Sequence, residues 1–151
     1  MHKILFFIIV SLIGFIHADP RTEYIQTDLD IYVHNDDSSF SYKVIKVEEF
    51  DEYFIHSVKL NSQNFLQSKD VNQTTWSHWL SIIEPKEIDK ETALLVIGSG
   101  DTNDSLPMAQ ESLIKIALTS RSIVGELKAV PNQPLKFADE DFSRWEDAII
   151  A

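Results

Sequence analysis

Apolar positions fall in short aromatic and β-branched runs between polar links over the first half of the chain, and take a helical period in part of the second. Residues 40–47 (FSYKVIKV) and 53–60 (YFIHSVKL) are rich in aromatic and β-branched side chains, the composition of half-buried strands. The acidic stretch 48–52 (EEFDE) joins them, so the pair predicts an antiparallel hairpin or meander. Residues 79–85 (WLSIIEP) predict a third short strand ended by Pro85, and 86–91 form a charged link. Residues 93–97 (ALLVI) are apolar without alternation. That pattern predicts a strand covered on both faces, as in a parallel sheet flanked by helices. From Leu106 the period becomes helical: Leu106, Ala109, Leu113, Ile116 and Ala117 share one face, with Glu111 and Lys115 paired at i,i+4 on another. Residues 122–130 predict the next strand, stopped by Pro131, which cannot donate to a ladder. The two strands start about thirty residues apart, the size of a strand–helix–strand crossover.

The ends of the chain carry further expectations. Met1-His2-Lys3 followed by the apolar run 4–16 and Ile16-His17-Ala18 has the charge, length and small-residue ending of a secretory signal peptide. The expected organisation is therefore a signal peptide over 1–18, a polar lead-in over 19–39, and one α/β domain over 40–151. Export fits two sequons, Asn72-Gln73-Thr74 and Asn103-Asp104-Ser105, as glycosylation sites in polar stretches. At the other end, Asp139, Glu140 and Asp141 favour a helix N-terminus. Phe142, Trp145 and Ile149 then form a helical stripe that runs to Ala151 with no stop signal. A doubly covered parallel strand also needs neighbours, and few are supplied. The chain thus reads as the N-terminal part of a longer α/β domain, with an open strand edge that invites oligomerisation.

Composition narrows the function classes. A net charge of −11 with scattered lysines excludes an ordinary nucleic-acid binder and disfavours attachment to anionic lipid. No second apolar stretch approaches membrane-spanning length, so no membrane association is expected after signal cleavage. The absence of cysteine removes disulfide stapling, thiol chemistry and Cys-based zinc sites. Stability must come from a hydrophobic core or from association.

Candidate chemistry centres on Gly98-Ser99-Gly100-Asp101, which follows the buried strand and precedes the helix. It does not complete a dinucleotide fingerprint, since Asn103 stands where the third glycine belongs, and it lacks the Lys of a phosphate-binding loop. A glycine turn in this position can donate an oxyanion-hole N–H in α/β-hydrolases, or simply permit a tight turn. No G-x-S-x-G nucleophile elbow occurs anywhere in the chain. His34-Asn35-Asp36-Asp37 lacks the further ligands of a calcium loop and reads as a solvated turn. Trp76, His78 and Trp79 read as packing aromatics rather than a ligand platform. His34, His56 and His78 show no metal-ligand spacing, so no metal site and no cofactor is assigned.

Several motifs in order resemble the PhoPQ-activated pathogenicity-related family. They are Trp76-Ser77-His78-Trp79-Leu80 through Pro85, then Thr92 to Gly100, then Val130-Pro131-Asn132-Gln133-Pro134-Leu135, and finally Trp145 to Ala151. The resemblance implies an α/β-hydrolase-like fold continuing past residue 151. It also implies kinship with the family's proliferation-repressor branch of secreted signals, with a cell-surface receptor or other protein as partner. In the family the Ser nucleophile lies later than this chain reaches, so no catalytic residue is carried over. Only the turn Gly98, Ser99 and Gly100 matches, with Ser99 replacing the usual Gly. The expectation is a secreted, non-catalytic signalling or binding protein. The alternative is the front part of a secreted serine hydrolase whose nucleophile, acid and His lie beyond residue 151.

Overall fold

The computed structural model describes residues 26–35 and 37–150. The expected signal peptide over 1–18 lies outside the described residues. The chain divides into two compact units, 1–35 and 36–151.

In the first unit, the polar lead-in contains a helix, α1 (Asp28–His34), over its one short apolar patch at Ile31-Tyr32-Val33. Thr27 caps it: its Oγ1 accepts from the Asp30 amide at 3.2 Å, while Asp30 Oδ2 accepts from the Thr27 amide at 2.8 Å. This reciprocal box is easy to overlook because its third position is Asp rather than Glu or Gln.

The second unit is an α/β fold built on one mixed sheet. Its strands are β1 (Ser41–Glu49), β2 (Tyr53–Asn64), β3 (Thr75–Pro85), β4 (Leu94–Ile97) and β5 (Val124–Lys128). The spatial order is β1-β2-β3-β5-β4. The first three form the expected antiparallel meander, and β3 also pairs antiparallel with β5. The acidic connection between β1 and β2 is closed by Phe50 stacked on Tyr53, with ring centroids 4.7 Å apart. β4 and β5 run parallel, joined through helix α2 (Glu111–Ser120). The strand–helix–strand reading of the second half therefore holds.

Register builds the core. Ile55 opposes Ile83, and Ile83 opposes Val124, so three branched side chains form one row on a single face. Leu113 and Ala117 of α2 close over that row, with Tyr53, Val96, Ala109 and Ile114 around them. Ile83 and Val124 are at most 1% exposed. Burying side chains of this size contributes about 1.5–3 kcal/mol each.

Four expectations are corrected. Among the described residues the run 93–97 is not covered on both faces: Leu95 and Ile97, on the side away from α2, are each 57% exposed, and β4 has one neighbouring strand. An unbroken apolar run fits a buried parallel strand but does not fix how many neighbours it has. Helix α2 starts at Glu111 rather than Leu106, because Pro107 biases the residue before it away from helical φ/ψ. β5 stops at Lys128, where Ala129 takes a left-handed φ of 63° and turns the chain. Finally, the C-terminal helix α3 covers only Glu146–Ile150. Arg144 cannot join it because its backbone exchanges two hydrogen bonds with Leu135, N–H to O at 2.7 Å and the return bond at 3.0 Å. Its guanidinium pairs with Glu140 and lies over the Phe137 ring, leaving Phe142 and Trp145 exposed rather than on a packed stripe.

Candidate functional site

The parallel pair β4–β5 ends at two adjacent turns. One is the glycine turn, 98–104; the other is the turn over 129–134 that carries Asn132 and Gln133. Ladder pairing sets the first contact, since the Gly98 N–H donates to Leu127 O at 2.8 Å. Gly98 is glycine for a reason below it: a Cβ there would stand 2.8 Å from Glu126 Oε1. Gly100 adopts φ +151°, and a Cβ on it would meet Asp104 Oδ2 at 2.8 Å. Asp104 folds the turn on itself by accepting from the Asp101 amide at 2.9 Å, and Asp101 in turn accepts from the Asn103 amide at 2.6 Å.

Gln133 locks the two turns together. Its Nε2 donates to Gly100 O at 2.8 Å, and its backbone carbonyl accepts from the Thr102 amide at 2.9 Å. Its Oε1 accepts from the Glu146 amide at 2.7 Å, so one side chain also fixes the start of α3. Asn132, 1% exposed, does the same work on the other side. Its Oδ1 accepts from the Ser77 amide at 2.7 Å and from Gln73 Nε2 at 3.1 Å. Its Nδ2 donates to Ser77 O at 3.1 Å and Ala129 O at 2.8 Å. The strained Ala129 is held further by His78, whose Nδ1 lies 2.9 Å from the same carbonyl. That bond places the proton on Nδ1, so Nε2 accepts from Ser62 Oγ at 2.8 Å. Burial pushes the His78 pKa below its ordinary value, against a smaller upward pull from the Ala129 carbonyl. Ser62 and His78 thus pair like a nucleophile and base, but the third member is a carbonyl and the imidazole is only 2% exposed. The arrangement is a structural one.

Glu126 is the other residue the sequence reading passed over. It is 1% exposed beneath α2, with Oε1 accepting from Gln110 Nε2 at 2.5 Å and Lys128 Nζ 3.7 Å away. Its Oε2 and the directly opposed Ser81 Oγ are buried with no hydrogen-bond partner among the described residues. A lone acid inside the apolar strand VGELK was the available signal. For Asn132 and Gln133 it was two amides held between prolines.

The predicted site residues therefore divide. Gly98, Ser99 and Gly100 form one turn with two carboxylates against it, and no described residue accepts from the Ser99 or Gly100 amide. Asn72 and Asn103 are exposed and belong to separate segments. Asn72 Oδ1 accepts from the Lys136 amide at 2.8 Å. Trp76 and Trp79 serve packing and anchoring: Trp76 tilts against Phe65 at 4.9 Å, and the Trp79 indole N–H donates to Asp104 O at 2.9 Å. Among the described residues no group of three or more His, Asp or Glu is placed to hold a metal ion.

The motifs that meet here are those of one family. A family model for the PhoPQ-activated pathogenicity-related protein matches residues 29–151, and the chain belongs to that family. It is similar to autocrine proliferation repressor protein A of Dictyostelium discoideum, at 28% identity over 153 residues. That match covers 100% of this chain and 29% of the relative, so the chain spans under a third of the relative's length. No solved structure matches it.

Two predictions test the clamp. Asn132→Ala removes the partner of the part-buried Ser77 amide and one of the two donors to Ala129 O, and is expected to lower stability by about 1–3 kcal/mol in denaturant melts. His78 has a depressed folded pKa, so the unfolded chain binds the proton more readily and stability rises with pH through that window. The melting temperature should fall as pH drops below about 6.5, the ordinary value, toward the folded one. His78→Gln should flatten that slope, and an unchanged slope would contradict the assignment.

Proposed function

We propose that this chain is a secreted, non-catalytic signalling or binding module of the proliferation-repressor type, acting through its surface on a receptor protein. The observation that carries the reading is the glycine turn itself. An oxyanion hole stabilises negative charge as it develops. Here Glu126 and Asp104 bring carboxylates against Gly98 and Gly100, which oppose such charge. Gln133 also ties the Gly100 carbonyl to the start of α3. The name of the similar amoebal protein supplies the type of signal, and the sequence of the first eighteen residues supplies the route of export. Glycans on the exposed Asn72 and Asn103 belong to the same reading.

One observation favours a second reading, the front part of a secreted serine hydrolase. The Ser99 and Gly100 amides are unclaimed among the described residues, as donors to an oxyanion would be. Its nucleophile, acid and His would lie beyond residue 151.

Purified mature protein added to dividing cells of the source organism is expected to slow the rise in cell number in a dose-dependent way. An unchanged division rate over a wide concentration range sinks the signalling reading. Ester hydrolysis by the longest natural gene product, abolished by a serine-directed phosphonate, would favour the second. The open β4 edge, with Leu95 and Ile97 each 57% exposed, is the proposed seat of oligomerisation. The mature chain should elute as more than a monomer in size-exclusion chromatography, and Leu95→Lys should shift it toward monomer. A monomeric profile for the unmodified chain would contradict the edge contact.

A further inference from the structure

The sheet places an unusual row of side chains beside the core. Lys43 of β1 opposes Lys59 of β2, Lys59 opposes Trp79 of β3, and Trp79 opposes Lys128 of β5. Directly opposed residues share a face, so all four project to the side covered by α2, two positions along from the Ser57–Ser81–Glu126 row. Lys59 Nζ rests 4.4 Å from the centre of the Trp79 ring. The ring is itself pinned by its N–H to Asp104 O at 2.9 Å.

Charge makes the row costly as it stands. Like charges directly opposed across two strands are destabilising. The carboxylates of this face are engaged elsewhere: Glu48 takes Lys46 at 2.7 Å, and Glu126 takes Gln110 at 2.5 Å with Lys128 at 3.7 Å. Among the described residues no carboxylate lies within ion-pair distance of Lys43 or Lys59. Partial burial already pushes the Lys59 ammonium below its ordinary pKa. In a chain of net charge −11 with only 13 basic residues, two unneutralised lysines placed face to face beside an aromatic ring form a cationic seat.

We propose that Lys43, Lys59 and Trp79, flanked by Lys128, bind a small oxyanion ligand, a phosphate- or carboxylate-bearing molecule. Neighbouring strands stand about 4.8 Å apart, so both ammonium groups can reach one oxyanion. The Trp79 ring offers a flat apolar wall for the rest of the ligand. The site borders the glycine turn through Trp79 and Asp104 but does not use the turn's amides and does not depend on the signalling reading.

Pyrophosphate and succinate, each titrated into the intact chain at constant ionic strength, distinguish the two ligand chemistries. Saturable change in tryptophan fluorescence with either one is expected. Lys43→Gln and Lys59→Gln should each weaken it about tenfold, the loss of one charge-assisted contact, while Lys90→Gln on a distant exposed link should not. Absence of saturation with both probes, or equal weakening by Lys90→Gln, overturns the proposal. Lys43 lies on an exposed edge strand, so its variant keeps the test open if the Lys59 variant fails to fold. Without ligand, Lys43→Gln should raise the melting temperature by removing the repulsion. A lowered one would remove the premise.

Discussion

The second unit depends on the pairing of β3 with β5. β3 is the strand that belongs to both halves of the sheet: it closes the antiparallel meander on one side and accepts the parallel strand–helix–strand unit on the other. The Ile83–Val124 contact lies at that seam and is where α2 comes down through Leu113 and Ala117. Because side chains alternate across a strand, a one-residue slip here would turn Val124 and Glu126 to the other face together. The slip would expose the core row and strip Glu126 of Gln110. The same pairing that buries the apolar row therefore also fixes the polar one.

Polar groups inside this unit fall into two kinds. Asn132, Gln133 and His78 each bond backbone groups where the chain leaves the ladder, at Ser77, Ala129, Gly100 and Glu146, with Gln73 and Ser62 taking the remaining capacity of Asn132 and His78. They replace regular structure where the chain reverses, and their burial is compensated. Glu126 Oε2 and Ser81 Oγ have no hydrogen-bond partner among the described residues. The fold tolerates this because Oε1 is well held and the neighbouring Ile83 and Val124 pack to near-complete burial. Glycine at position 98 belongs to the same arrangement, since any larger residue would press on that carboxylate.

Much of this was legible in the chain. Aromatic and β-branched runs on either side of an acidic connection pointed to the meander, and the switch to a 3.6-residue period between two apolar strands pointed to α2 and the parallel pair. What sequence periodicity could not supply was count and context. The run 93–97 looks the same whether one neighbouring strand or two flank it, and here β5 alone does among the described residues. The Phe142, Trp145 and Ile149 spacing is a valid helical stripe, yet the Leu135–Arg144 backbone exchange takes the middle of it. Non-local hydrogen bonds of this kind override local propensity and leave no periodic trace. The glycine turn was found from its composition, but its closure was not. Glu126 and Gln133 lie far along the chain from Gly98: the β4–β5 register sets Glu126 beside it, and the bond from Gln133 to Gly100 O closes the rest.

The two edges of the sheet are managed differently, which bears on where another molecule can attach. β1 carries Lys43 and Lys46 and an irregular register between Val44 and Lys46, and both charge and bulges discourage a strand from adding there. Lys43 alone serves both ends: it helps defend this edge and, unlike Lys46, which pairs with Glu48, it has no carboxylate within ion-pair distance among the described residues, so edge protection and the cationic seat share that residue. β4 has neither device: Leu94–Ile97 is uncharged and regular, protected only by its four-residue length. Strand addition at β4 and anion capture on the α2 face would therefore use opposite sides of the unit's chemistry. The first would be insensitive to ionic strength, being apolar and backbone-driven, and the second strongly screened, so salt separates the two without any substitution at all.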